Sequence, residues 1–285
     1  MKTQKEQTIY YPNYRLKIGF FQTWVIMLKN ILKSKELIIE LFKRDFFATY
    51  RKSLIGISWI LISPIVGIIS WVLMNATGIL NPGDVGVPYP AYVLLGSSLW
   101  GLFMGFYTSA SDTLNAGIGF INQVKYPHEA LLVKQTAQHL ANFLITFVIN
   151  IIVLLLFSII PDWKIIFFPL LVLPMLFLAA GMGLIISVIN VVFPDIPKIV
   201  NVVLGFVFYI TPIVYSTETN SSFLNKAVEL NPLTYLIGGV RDLIIYGQLI
   251  YPERFIFVAF ISFIFFMFAW RIFFVSEDRV IEKMI

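Results

Sequence analysis

Residues 164–193 read KIIFFPLLVLPMLFLAAGMGLIISVINVVF, and Lys164 is the only charged side chain in this stretch. An α-helix of about 20 apolar residues crosses the hydrocarbon core of a bilayer. The stretch is therefore long enough to span a membrane, with room to tilt or to break at Pro174. A soluble domain has little room for so long an apolar segment, so this stretch predicts a membrane protein.

The composition of the whole chain leads to the same class of protein. Of the 285 residues, 58% are apolar and 13% are charged, whereas a soluble domain averages about 45–50% and about 25%. This balance excludes a soluble enzyme, a disordered chain and a nucleic-acid-binding protein. The chain has no cysteine, which excludes disulfides, cysteine-ligated zinc and thiol catalysis, and its two histidines make a histidine-based metal site improbable.

Five further segments reach or approach the length of a span, so we predict an all-α integral membrane protein with six transmembrane helices. The opening residues are rich in Lys and Arg and lack the compact apolar core of a signal peptide. We predict a cytoplasmic N-terminal region (1–54), a transmembrane domain (55–275) and a cytoplasmic tail (276–285). The six predicted spans are 55–78, 91–110, 134–160, 164–193, 199–216 and 254–275.

The distribution of basic residues predicts the orientation of the spans. With both termini in the cytoplasm, 17 of the 21 Lys and Arg residues lie on the cytoplasmic side. Cytoplasmic loops of membrane proteins carry such an excess, and the opposite orientation would invert it. The basic residues predicted to lie outside are Lys164, Lys226, Arg241 and Arg254.

The segment before the first span, KELIIELFKRDFFATYRK (35–52), is amphipathic. Placed on a helix, it has Lys43 and Arg44 on the polar side and Asp45 as an exception on the apolar side. We predict a helix lying in the cytoplasmic interface with its basic residues near anionic headgroups. The alternative is a helix packed on other protein. The apolar side consists of Leu37, Ile38, Leu41, Phe42 and Phe46.

The second cytoplasmic segment, 111–134, contains a turn between two predicted helical pieces. Pro127 disfavours helix at the residue before it and is well placed to begin the next helix. We predict a compact cytoplasmic element that serves as a docking surface, with an ordinary connecting loop as the alternative. The polar and aromatic residues that suggest docking are Asn122, Gln123, Lys125, Tyr126 and His128.

The outer segment 217–252 is too apolar for a free loop and too broken for two spans. Asn231-Pro232 and Gly238-Gly239 divide it into two short helical pieces, which we predict to be re-entrant helices before the last span. Arg241 and Asp242 lie in the second piece, and a charge at membrane depth is a candidate functional site. A local ion pair at headgroup level, in which Arg241 pairs with Asp242 or Glu229, is the alternative. We expect Asp242 to lie on the side of the helix opposite Arg241.

Motifs for chemistry within the chain are missing. The sequence has no GxxxxGK[ST] phosphate-binding loop, no HExxH and no GxSxG. The central spans lack the carboxylates that a proton- or sodium-driven transporter needs near the midplane. His139 is interpreted as a packing residue. The chain therefore transports a substrate or acts as a scaffold. The energy for any transport would come from outside this chain.

Four stretches, in order and at matching places in the topology, resemble the membrane subunits of type-2 ABC exporters for polysaccharides. These permeases export O-antigen, capsule and teichoic acid, and the resemblance covers roughly residues 35–275. The stretches are YRKSLIGISWILISP (50–64), NQVKYPHEALLVKQ (122–135), FPDIPKIV (193–200) and ELNPLTYLIGGVRDLI (229–244).

The resemblance implies a homodimer in the bacterial cytoplasmic membrane, joined to two copies of a separate ATPase subunit that binds ATP and Mg²⁺. The interfacial helix, with Lys43 and Arg44, and the segment 111–134 would dock on that ATPase. The cargo would be a glycan carried on undecaprenyl diphosphate, passing between the first and fifth helices. Aromatic rings suit the apolar faces of sugars, so we expect a channel lined by Trp59, Trp71, Phe206, Phe208 and Tyr209, with Arg241 contacting the diphosphate at the outer end. The alternative for Trp59 and Trp71 is ordinary anchoring at the membrane interface.

Two other classes of function stay open on the sequence. One is a secondary transporter or channel, against which the missing midplane charges argue. The other is an integral-membrane enzyme acting on polyprenyl-linked sugars, which would need a cluster of acids at one membrane face. The cytoplasmic-face acids Asp112, Glu129 and Asp195 are scattered in the sequence. Neither alternative explains the docking-like cytoplasmic segments.

Overall fold

The computed structural model describes residues 14–51, 58–114, 127–217 and 221–281. Within these ranges the chain forms helices and connecting turns, and no β-strand. The helices are α1 (Tyr14–Lys17), α2 (Phe20–Lys33), α3 (Lys35–Arg51), α4 (Trp59–Ala76), α5 (Tyr89–Ser111), α6 (His128–Leu156), a 3₁₀ turn (Trp163–Phe167), α7 (Phe168–Asn190), α8 (Ile196–Ile210), α9 (Ser222–Leu230), α10 (Pro232–Tyr246) and α11 (Pro252–Ile281).

Four helical segments of the described chain are long and apolar enough to cross a membrane, and two shorter apolar helices accompany them. The long ones are Tyr89–Ser111, Glu129–Leu156, Trp163–Asn190 and Pro252–Glu277. The shorter ones are Ile62–Ala76 and Ile196–Ile210. Each coincides with a segment that the sequence predicts to span. The chain is therefore a multi-pass, helical membrane protein.

Prolines determine several helix boundaries. Pro127 has an extended conformation (φ −74°, ψ 134°) and directly precedes α6, as predicted. The fifth predicted span was placed at 199–216, but α8 ends at Ile210 because Thr211, the residue before Pro212, is extended. Pro174 was considered as a break, yet α7 continues through it. The irregular backbone lies instead in the 3₁₀ turn before α7.

Helix α7 is the centre of the bundle, packed between α5 and α11. A side chain at Gly183 would contact Ala110 and would lie 2.5 Å from the carbonyl oxygen of Tyr107. Small residues allow helix backbones to approach this closely in membrane proteins. In α5, 61% of the apolar section is buried within the protein, against 22% in α6 and 28% in α11. Helix α5 is therefore interior, whereas α6 and α11 expose broad surfaces.

The N-terminal helix α2 is amphipathic, although the sequence analysis predicted an interfacial helix only at 35–52. Thr23 and Met27 are buried on its inner side. Its outer side exposes an apolar stripe at helical spacing, in which Phe21 is 78% exposed. Such a helix suits the boundary between headgroups and acyl chains. The other members of the stripe are Val25, Leu28 and Leu32.

Helix α3, the predicted interfacial helix, packs on α6. Ile38 is buried, while Lys43 and Arg44 are exposed. Lys134 of α6 donates to the Asp45 carboxylate at 2.9 Å, which explains why an acid lies on the apolar side of α3. The sequence analysis weighed an interfacial position against packing on other protein. The structure shows packing on protein along one side and an exposed basic side.

Candidate functional site

A cavity of about 440 Å³ lies among α4, α5, α6 and α8. It is wide enough for a small polar ligand or part of a larger one, since ligand pockets typically have volumes of about 300–1,000 Å³. One part of its wall is aromatic, formed by Trp71, Trp100, Phe143 and Phe208. The other part is polar and uncharged, formed by Ser63, Ser97, Ser98, His139, Asn142 and Thr146.

Three of the predicted channel residues form an aromatic cluster beside this cavity, and two of them, Trp71 and Phe208, line it. The ring centroids of Trp71 and Phe208 are 6.2 Å apart, and those of Trp71 and Tyr209 are 6.3 Å apart. Trp100 of α5 completes the cluster, with its ring 5.4 Å from that of Phe208. Trp100 was not among the predicted channel residues because it belongs to the second span, whereas the prediction concerned the first and fifth spans. The cluster therefore bridges α4, α5 and α8.

The other two predicted channel residues, Trp59 and Phe206, lie on exposed faces of α4 and α8, and Phe206 is 66% exposed. Each of these helices presents an apolar stripe that no described part of the chain covers. A continuous apolar surface of this kind faces lipid or another protein. The stripe on α4 comprises Trp59, Ile62, Val66, Ile69 and Leu73, and that on α8 comprises Ile199, Val202, Val203, Phe206 and Tyr209.

The polar wall of the cavity is supported by hydrogen bonds and close packing. The Asn150 amide donates to the Ser98 hydroxyl at 3.0 Å and to the Thr146 carbonyl at 3.1 Å. A side chain at Gly105 would lie 2.5 Å from His139 Nδ1, so the glycine leaves room for the imidazole. His139 is thus a packing residue, as interpreted from the sequence, and it also lines the cavity.

A second cavity, of about 350 Å³, lies at the opposite end of the bundle from α2 and α3 and contains Arg241 and Asp242. Both side chains are buried, with 5% and 7% exposure. The guanidinium donates from Nη1 to the Pro212 carbonyl at 2.8 Å and lies 4.0 Å above the Tyr92 ring. Arg241 thereby connects α10 with α5 and with the turn that follows α8.

Three expectations about this region require correction. Asp242 was expected on the opposite side of its helix, but it lines the same cavity as Arg241. Glu229 was a possible partner of Arg241, but it pairs with Arg254 at 3.1 Å. Gly238 and Gly239 were expected to bend the backbone, but α10 is continuous through both. Gly239 instead makes room for the Phe255 ring, which would lie 2.6 Å from an added Cβ.

Of the predicted docking residues, Asn122, Gln123, Lys125 and Tyr126 lie outside the described residues, and so does the side chain of His128. Lys43 and Arg44 pair with Glu40 and Asp45 on the exposed side of α3. Burial alone would raise the pKa of Asp45, but the hydrogen bonds and charges of Arg44 and Lys134 hold it below the ordinary 3.8. This bridge therefore persists through the neutral range and is lost only as pH falls through the folded-state pKa.

Buried polar contacts attach the N-terminal helices to the bundle. Arg15 pairs with Glu277, which is near the end of α11. Asn30 of α2 donates to the Glu129 carboxylate at 2.7 Å. Arg271 donates to the Thr23 hydroxyl and to the Ile18 carbonyl. These contacts fix α1 and α2 against α6 and α11, although the residues involved are far apart in sequence.

The acids that an enzyme would need have separate roles. Glu129 is buried against Asn30, whereas Asp195 is exposed and pairs with Lys198 at 2.9 Å. Asp112 is exposed beyond the end of α5. Among the described residues, no three His, Asp or Glu side chains are grouped in a way that could hold a metal ion.

Comparison with known proteins agrees with the helical architecture. Residues 36–245 match the family described as ABC-2 type transporter. An O-antigen export system permease protein, RfbA, of Myxococcus xanthus is 24% identical over 214 residues, which is 74% of this chain and 81% of the relative. A protein of the same name from Klebsiella pneumoniae is 22% identical over 221 residues, which is 76% of this chain and 83% of the relative. The chain therefore belongs to the ABC-2 type transporter family, as a permease, or membrane subunit.

Proposed function

We propose that the chain is the membrane subunit of an ATP-driven exporter that moves a lipid-linked polysaccharide from the cytoplasmic side outward. The observation that carries the proposal is the similarity to O-antigen export permeases over about three quarters of the chain. The chain has no phosphate-binding loop, which supports our proposal that a separate ATPase subunit binds ATP and Mg²⁺. This chain then provides the path across the membrane and a surface that receives the ATPase.

The proposed topology has six spans with both termini in the cytoplasm of a bacterial cell. The four long helices count as spans by length, and α4 and α8 complete the set as shorter ones. The excess of Lys and Arg in the loops assigned to the cytoplasm supports this orientation. Helices α9 and α10 then lie on the outer side, before the last span.

The proposed transporter is a homodimer whose translocation path lies between the two copies. The uncovered apolar stripes of α4 and α8 offer a surface for a second copy. The Trp71, Trp100 and Phe208 cluster and the uncharged cavity lie behind these stripes. An aromatic and uncharged lining suits the apolar ring faces and the hydroxyl groups of a glycan. An undecaprenyl-diphosphate-linked polymer, such as an O-antigen or a teichoic acid, is the proposed cargo.

Loss of surface polysaccharide is the expected result of deleting this chain from its host. The lipid-linked polymer should then accumulate inside the cell, because synthesis continues while its exit is blocked. Surface polymer is measured by lectin or antibody labelling of intact cells, and internal polymer by the same labelling after lysis. Unchanged surface polymer in the deletion strain would contradict the proposed function.

The docking role of the segment 111–134 is tested in the same strain. We expect Tyr126→Ala combined with His128→Ala to reduce surface polymer to the level of the deletion strain, because the ATPase would no longer be coupled. Lys226→Ala, on exposed α9 at the proposed outer face, is the control and should export normally. Both variants should insert into the membrane at equal levels. Normal export by the double variant would make this segment a simple connector.

A further inference from the structure

The cavity around Arg241 and Asp242 is a built pocket at the proposed outer face. It is formed by the connection between α4 and α5, the turn after α8, helix α10 and the connection between α10 and α11. Two contacts within the chain hold the wall of this cavity in place. The Gly86 amide donates to Asp84 at 2.8 Å, and the Tyr246 hydroxyl is packed against Gly86, where a side chain would collide with it.

Tyrosine is the dominant residue type in this cavity. Tyr92, Tyr235, Tyr246 and Tyr251 all line it. The rings of Tyr235 and Tyr251 have centroids 6.2 Å apart and are nearly perpendicular, at 84°. The hydroxyls of Tyr92, Tyr235 and Tyr246 donate to backbone carbonyls. Toward a ligand they therefore act as hydrogen-bond acceptors beside the apolar ring faces. The cavity therefore suits a ligand that also has both an apolar face and hydroxyl groups.

The balance of charges in the cavity disfavours binding of a strongly anionic ligand. Asp84 and Asp242 provide two carboxylates against one guanidinium, that of Arg241. A diphosphate would bring its own negative charges against both carboxylates, and like charges at close range are unfavourable. Arg241 is also partly engaged by the Pro212 carbonyl and the Tyr92 ring. This arrangement argues against the sequence-based prediction that Arg241 contacts the diphosphate.

We propose that this outer cavity binds one neutral sugar ring of the cargo. Carboxylates accept hydrogen bonds from sugar hydroxyls, a guanidinium donates to them, and tyrosine faces stack on the ring. The volume of about 350 Å³ is at the lower end of the range for ligand pockets, which is appropriate for a small ring. The inference rests on the proposed function, because it assigns a sugar of the exported polymer to the site.

A cysteine at position 238 tests this proposal. The chain has no native cysteine, so Gly238→Cys introduces the only thiol. Gly238 lines the cavity, and no atom lies within 4 Å of a Cβ added there, so the thiol fits without displacing its neighbours. The purified full-length variant, assembled with its ATPase, is treated with a small methanethiosulfonate reagent. Labelling rates are measured with neutral disaccharides built from hexoses, deoxyhexoses or N-acetylhexosamines, and with inorganic diphosphate.

At least one neutral disaccharide is expected to slow the labelling of Gly238→Cys, by about tenfold at a concentration ten times its Kd. Diphosphate should have no effect. Adding Tyr251→Ala should remove the protection, whereas Phe257→Ala, on the exposed side of α11, should keep it. Lys226→Cys, outside the cavity, should label at the same rate with or without sugar.

Three results would overturn the assignment: protection by diphosphate alone, protection by no ligand, or a thiol at position 238 that does not react.

Failure of this proposal is separable from failure of the proposed function. Normal polysaccharide export without protection by any disaccharide overturns only the sugar site. Protection in a chain whose deletion leaves surface polysaccharide unchanged overturns the proposed function instead.

Discussion

Replacing Gly183 by Ala is expected to push α5 away from α7 and to destabilise the bundle strongly. The added methyl group would contact Ala110 and would lie 2.5 Å from the Tyr107 carbonyl oxygen and 2.9 Å from the Ser111 amide nitrogen. Two of these neighbours are backbone atoms, so relief requires a helix to move. Overpacking of a close-packed interior typically costs about 1–3 kcal/mol, and backbone contact places this change at or above the upper end.

The matched control for Gly183→Ala is Gly205→Ala in α8, because no atom lies within 4 Å of an added Cβ there. Both variants add one methyl group to a helix of the membrane domain. The yield of monodisperse protein in detergent and its Tm are measured for each. The α7 variant should show a large loss of both, and the α8 variant should resemble the wild type. A wild-type Tm for Gly183→Ala would contradict the close packing of α5 and α7.

Replacing Arg241 is expected to destabilise the outer part of the protein. Arg241→Gln removes the cation above Tyr92 and the donor to the Pro212 carbonyl. The Pro212 carbonyl keeps the Tyr92 hydroxyl as a donor, at 3.1 Å, so the cost there is the loss of one hydrogen bond from a charged group, about 1.5–3 kcal/mol. A desolvated cation–π contact contributes about 2 kcal/mol. Lysine keeps the charge but cannot provide both contacts, because its ammonium is a single point donor on a flexible stem. We expect Tm to be highest for the wild type, lower for Arg241→Lys and lowest for Arg241→Gln.

Export should follow the same order if Arg241 acts by holding α10 against α5 and the turn after α8. Export is measured as surface polymer at equal membrane levels of each variant, and Tm is measured on the purified proteins. A Gln variant with wild-type Tm but no export would instead indicate that export depends on contact between Arg241 and the cargo and not on its contacts with Tyr92 and Pro212. A Gln variant with wild-type Tm and wild-type export would contradict both roles.

Features that depend on local sequence were predicted well. The apolar segments were located because a span needs a long apolar run, whatever its neighbours. The start of α6 after Pro127 was predicted because proline restricts the residue before it and begins a helix readily. The same rule, applied to Pro212, would have ended α8 at Ile210. The predicted span was extended past this boundary because the apolar run continues to residue 216.

Features that depend on tertiary contacts were predicted less well. Asp242 lines the Arg241 cavity because the connection between α10 and α11 folds over it, which helical periodicity cannot indicate. Trp100 joins the aromatic cluster because α5 lies beside α8. The apolar stripe of α2 was present in the sequence, with residues at helical spacing, and a search for amphipathic helices before residue 35 would have found it.

Transport by the purified complex tests the central claim most directly. The chain and its ATPase are reconstituted into lipid vesicles with a lipid-linked polysaccharide, and movement of the polymer to the opposite side is followed by its accessibility to a glycosidase. The account predicts transport that requires ATP, Mg²⁺ and both subunits, and that stops when the ATPase cannot hydrolyse ATP. Transport of the polymer by this chain alone, without ATP or its partner, would contradict the account.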